Sequence, residues 1–232
     1  MLNILYSPKW FYGKDIIFDI VSIIVLVLIG YFSFQYHQFD KKRKGHWLFT
    51  VSFFLLAVSF IFKILTNFTL YSLATHTQRV GFLILTYNFV HYSDLLFLIG
   101  TLVSRLFMLL GLYGLYSLYY QKQLKSTIFF IIYFILINTY FSDSAYYLFH
   151  LTALLFLFFI VGKYYLNYKK THDKPARLLA CSFCTIALSQ IVFMFVGLYS
   201  LLYVLAESIQ LIGYILLLIS FVLVLRYGTK KN

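Results

Sequence analysis

The chain has 232 residues, of which 62% are hydrophobic and 11% charged, and it carries a formal net charge of +12. Soluble domains are about 45–50% apolar and about 25% charged, so this composition excludes an ordinary soluble core. Every polar segment is too short for a soluble catalytic domain, which leaves a single all-α membrane domain as the expected fold class.

In chain order, Trp10, Phe11 and Tyr12 precede the first apolar run and read as anchors at the membrane interface. No basic segment followed by a small-residue cleavage site marks this end as a removable signal. Apolar runs then suggest seven spans, at about residues 16–36, 47–65, 95–120, 126–141, 145–166, 178–202 and 208–226. A crossing needs about 20 apolar residues, and the fourth run is the shortest. Residues 80–92 form an eighth apolar run of only 13 residues, read as part of an extracellular insertion at about 67–93.

Lysine and arginine placement gives the orientation. The expected loops after spans one, three, five and seven hold 14 of the 19 basic residues, among them Lys41, Lys42, Arg43, Lys44, Lys169, Lys170, Lys174 and Arg177. These loops are expected in the cytoplasm, with the N-terminus outside a cell membrane and the C-terminus inside. They are expected to lie on anionic lipid, which accounts for the charge without nucleic acid. Lys63 stands at the outer end of span two, where it is expected to snorkel towards water. Asp15, Asp19, Asp94, Asp143 and Glu207 each fall near the start of a span running inward. Negative charge there is favoured by the helix dipole, by about 0.3–1 kcal/mol.

An internal repeat is also legible. Residues 52–61 and 182–191 agree at five of ten positions: Ser52 with Ser182, Phe53 with Phe183, Ala57 with Ala187, Ser59 with Ser189 and Ile61 with Ile191. Leu98-Ile99-Gly100 and Leu211-Ile212-Gly213 match, each with an acid six residues before the glycine. Two parallel triplets follow, at about 15–120 and 145–227, joined by a connector helix at about 126–141. A 3+1+3 plan with an outside N-terminus resembles the SWEET and PQ-loop transporters and the microbial rhodopsins. The resemblance is one of topology along the whole chain. The prolines of SWEET helices and the retinal-binding lysine of rhodopsins are both missing, so it implies an architecture and carries over no site residue.

Arg105 is the most informative single residue. It lies 11 residues past Asp94, about 16 Å into the span at 1.5 Å per residue. A mid-membrane arginine costs about 2.5–3.5 kcal/mol on insertion scales and therefore faces the bundle interior. Gln190 falls at similar depth, and His150, Asp19, Gln210, Glu207 and Asn138 fall in the outer half. These residues, led by Arg105 and Gln190, form the expected ligand-binding set, with Asp19 pairing with Lys63 or Arg105. A hydrogen-bond clamp between helices is the competing reading for each.

Cys181 and Cys184 are read as packing residues, because a second pair for zinc is missing. No cofactor, metal site or catalytic set is expected. Asn67-Phe68-Thr69 is a glycosylation sequon on the outer face. Two functions remain open from sequence: a ligand-binding sensor or receptor-like module working through a membrane partner or a second copy, and a small-solute transporter with a midplane site.

Overall fold

A computed structural model describes residues 7–11, 13–39, 45–73, 90–118, 125–141 and 146–229. The remaining residues include Tyr12, Lys41–Lys44, Arg79, Asp143 and most of the 80–92 run. The readings made for these lie outside the described residues, as does the side chain of Asp94.

After a short 3-10 turn at Lys9–Phe11, seven helices follow among the described residues. They are α1 (Lys14–Phe39), α2 (Gly45–Leu73), α3 (Val90–Ser117), α4 (Lys125–Phe141), α5 (Tyr146–Thr171), α6 (Lys174–Met194) and α7 (Leu201–Thr229). Among the described residues, six of these helices are long and apolar enough to cross a membrane. The exception is α4, with 17 residues, about 25 Å at 1.5 Å per residue. The chain is a helical, multi-pass membrane protein. Its helices carry large apolar side chains outward in rows such as Ile17, Ile20, Ile24 and Leu28 on α1. Spacings of three and four put such a row on one helix face, and lipid rather than water suits it.

Within the bundle, α2 packs along both α1 and α3, and α6 along both α5 and α7. The two groups meet at α1–α7 and α3–α5, which closes a ring of six helices. α4 stands outside this ring. It touches α3 and α5 and leaves Phe129, Tyr133, Phe134 and Tyr140 exposed. One polar clamp holds it: Asn138 Nδ2 donates to Thr152 Oγ1 at 2.6 Å and to the Leu148 carbonyl at 3.3 Å. Asn138 therefore joins α4 to α5 and is not part of the central site.

The core is filled by Leu26, Ile29, Phe53, Leu109, Leu115, Leu157, Ile160 and Leu217, all nearly fully buried. Small residues bring backbones together, as is usual where apolar side chains gain little by leaving lipid. A side-chain carbon at Gly111 would lie 2.8 Å from Leu56 and 3.0 Å from the Ser52 carbonyl oxygen. One at Gly213 would lie 2.5 Å from Ile186 and 3.4 Å from the Ser182 carbonyl oxygen. Gly100 instead lies against Thr66, towards the other end of α2.

Two helix ends differ from the hydropathy reading in ways that matter for the site. α6 stops at Met194, and turns at residues 195–198 precede α7. The apolar run is continuous through this corner, so hydropathy cannot register it. α7 therefore begins earlier than expected, and Glu207 is its seventh residue rather than an N-terminal acid. At the opposite end, α5 closes on His172 in the left-handed region (φ 53°), with its N–H on the Tyr168 carbonyl at 2.7 Å. Pro175 then sits in the first turn of α6, where its missing N–H removes no helical bond.

Candidate functional site: a charged cavity at one end of the ring

The polar residues singled out in the sequence gather at one end of the bundle. Antiparallel neighbours bring together the starts of α1, α5 and α7, the ends of α2 and α6, and the middle of α3. There they enclose a cavity of about 170 Å³. About 10–15 Å³ of such space admits one water molecule, so a small organic ligand fits. Arg105, Gln190, His150, Gln210 and Glu207 line it, together with Lys63, Ser59, Ser104, Tyr146, Phe149 and Tyr203. Asp19 is fully buried immediately behind Lys63.

An ion cluster crosses the α1–α7 seam. Lys63 Nζ on α2 donates to Asp19 Oδ1 on α1 at 2.7 Å and to Glu207 Oε1 on α7 at 2.6 Å. The lysine side chain is 26% exposed, against 0% for Asp19 and 3% for Glu207. Lys63 thus turns inward and does not snorkel. Two buried carboxylates at bonding distance outweigh the interface it might otherwise reach, because a charge held in low dielectric needs a close partner. Of the two partners open to Asp19 from sequence, Lys63 is the one it takes. Asp15, one turn earlier, accepts from Asn67 Nδ2 at 3.0 Å and from the Ile16 N–H at 3.1 Å. It lies in the first turn of α1, as the dipole argument requires.

Opposite this cluster, the guanidinium of Arg105 lies 5.5 Å from the ring centre of Tyr146 and 5.7 Å from that of Phe149. Aromatic faces attract a cation within about 6 Å, so α5 supplies a π-lined wall for the cation on α3. Ser104 Oγ donates to the Ser59 carbonyl at 2.9 Å, tying α3 to α2 beside it. Gln190 directs its side-chain oxygen to His150 Nδ1 at 2.8 Å. With an oxygen facing it, Nδ1 carries the proton and Nε2 is the bare nitrogen. The imidazole stacks on Phe193 at 4.9 Å and lies against Tyr146 and Phe149. Its buried Nε2 has no hydrogen-bond partner among the described residues. Gln210 Nε2 donates to the Tyr214 hydroxyl at 3.2 Å.

The segment before α1 reaches the same end. Phe11 is buried rather than placed at the interface, with its ring 5.5 Å from Phe18 and 6.4 Å from Tyr203. Trp10 stays exposed. Ser7 reaches the cavity wall. Lys63, Tyr146, Phe149 and Tyr203 were not singled out as cavity residues in the sequence. For Tyr146 a signal was available, an aromatic four residues before His150 and so on the same helix face.

Cys181 and Cys184 are exposed thiols on α6, away from the cavity. Among the described residues no group of histidine, cysteine and acidic side chains has the arrangement of a metal site. No protein-family model matches the chain, and no curated protein or solved structure matches it significantly.

Proposed function

We propose that this protein is a seven-span sensor or receptor-like module that binds a small ligand bearing an anionic group, with the N-terminus outside and the C-terminus in the cytoplasm. The observation that carries the reading is the cavity itself: all six ring helices contribute to its wall, and Arg105 stands on that wall over two aromatic rings. An anion entering this low-dielectric space gains a charge-assisted bond to the guanidinium, roughly twice as strong as a neutral one. The ligand then bridges helices on both sides of each seam. Binding therefore biases their relative position, and a partner protein or a second copy reads the change at the cytoplasmic face.

A transporter is the second reading. Its support is the unequal packing, extensive within α1–α3 and α5–α7 and slighter at the two seams that flank the cavity. Such seams suit rocking of one triplet against the other. The proposed parallel repeat belongs with this reading. Ser52 and Ser182, Phe53 and Phe183, and Ser59 and Ser189 are all buried. The glycine contacts favour pairing Gly213 with Gly111, each against the matched segment of α2 or α6, over the Leu-Ile-Gly register that pairs it with Gly100. In the Gly111 register, Arg105 and Glu207 occupy corresponding positions on α3 and α7.

Thermal unfolding of the purified protein with a panel of small carboxylates and phosphates tests the first reading. A stabilising ligand whose effect is lost in Arg105→Gln, without solute flux into liposomes, supports a sensor. Arg105-dependent flux supports the transporter. Ligand binding that is indifferent to Arg105→Gln overturns both. Reporter fusions at the C-terminus test the orientation.

A further inference from the structure

We propose that the Asp19–Lys63–Glu207 cluster is a proton-binding site, holding one exchangeable proton on Oδ2 of Asp19. The cluster contains two carboxylates and one ammonium. Lys63 Nζ is shared between Asp19 Oδ1 at 2.7 Å and Glu207 Oε1 at 2.6 Å. One negative charge is therefore in excess at a place where Asp19 is 0% exposed. Widening the count to the charged residues that line the cavity, among the described residues, does not remove it. Asp15 adds a negative charge on α1 and Arg105 a positive one on α3, and both line the same cavity.

A buried ion without its counter-charge is costly enough that the group takes up a proton instead. The geometry says which atom takes it. Asp19 Oδ2 is buried and has no hydrogen-bond partner among the described residues. Glu207 is the alternative carboxylate, but it borders the cavity, and neither of its oxygens is a buried atom left without a partner among the described residues. Tyr203 and Tyr214 on α7 are hydroxyls that already hold their protons. His150 is the remaining base. Protonating it would place a second N–H among Phe149, Phe193 and Tyr146 with no acceptor, on a cavity that already holds two cations. A hydronium ion entering through the cavity gives up the proton and leaves as water, the O–H bond forms on Asp19, and the cluster goes from one net negative charge to neutrality. A metal cation does not suit the same place, because no group of ligating side chains surrounds it among the described residues.

This site goes beyond the proposed function and is read without any solute, so either can fail alone. The full chain in phosphatidylcholine nanodiscs is titrated in the absence of ligand while the infrared carboxylic-acid C=O band and the protons taken up are recorded. The histidines and the other carboxyl groups titrate in every variant, so the expected result is one proton per chain above that background on acidification, with a matching rise in the band. Asp19→Asn abolishes both of these excess signals. Glu207→Gln does too, because it leaves Asp19 and Lys63 as a neutral pair, so the outcome does not depend on one variant folding. Absence of the excess band in the parent protein overturns the proposal. So does its persistence in both variants, or suppression of the proton uptake by sodium at fixed pH.

Discussion

Replacing Lys63 with methionine isolates the contribution of the ion cluster. The side chain is shorter by one atom and loses its charge, so packing changes little while Asp19 and Glu207 lose their shared cation. One carboxylate can neutralise itself with a proton. The other remains as a charge at a buried position, which costs about 2.5–3.5 kcal/mol on membrane insertion scales. Breaking a buried ion pair from one side costs about 3–5 kcal/mol in soluble proteins. By contrast, a neutral interhelical hydrogen bond in a membrane averages only about 0.6 kcal/mol, so the charge dominates the balance. A loss of about 3 kcal/mol is expected, about a hundredfold in the folded-to-unfolded ratio. Unfolding by titration with sodium dodecyl sulfate in mixed micelles measures it. The triple variant Lys63→Met, Asp19→Asn, Glu207→Gln removes every charge and is expected to recover most of the loss. If Lys63→Met unfolds within about 0.5 kcal/mol of the parent, the cluster does not stabilise the bundle in the way its geometry indicates.

Glycine substitutions test the close helix contacts by the same assay. Gly111→Val and Gly213→Val are each expected to cost about 1–3 kcal/mol, because the added carbons meet side chain and backbone of the facing helix. Gly162→Ala, where a side-chain carbon meets nothing within 4 Å, is expected to stay within about 0.5 kcal/mol of the parent. Equal losses at all three would refute the packing. Gln190→Leu strips the buried Nδ1 of His150 of its acceptor and is expected to cost about 1–3 kcal/mol. Adding His150→Phe is expected to return part of that loss, and a double variant worse than the sum of the singles would show that the pair is not isolated.

Much of the scaffold was legible in hydropathy alone. Among the described residues, all seven helices overlap the apolar runs that suggest them, with boundaries moved by up to eight residues. The failures came where hydropathy has no contrast. Between Met194 and Leu201 the residues stay largely apolar through the corner, so hydropathy alone runs α6 past its end and starts α7 too late. Glu207 then looked like an N-terminal acid, when it sits two turns inside its helix. Lys63 is legible in part: Asp19 is one of the partners the sequence offers it, and the structure makes that pair, but its second partner and its inward position are not. Its partner Glu207 is 144 residues away in the chain, and a lone lysine near a helix end is explained well enough by snorkelling until that partner is seen. Arg105 was recognisable because an arginine so deep in a span is expensive anywhere. Its aromatic wall was not, because the chain holds 22 tyrosines and 27 phenylalanines and none stands out by type.

The position of α4 bears on how such a chain arises. It contributes little to the interior and stands outside the ring that α3 and α5 close between themselves. In the proposed topology its value is parity. A three-helix unit that enters from one side leaves on the other, so a second copy joined directly would insert upside down. One extra crossing resets direction and lets a tandem duplication keep both copies upright. Apart from the Asn138 clamp and the buried Ile135, the sequence of such a spacer is constrained mainly by hydrophobicity, which suits the aromatic surface that α4 presents.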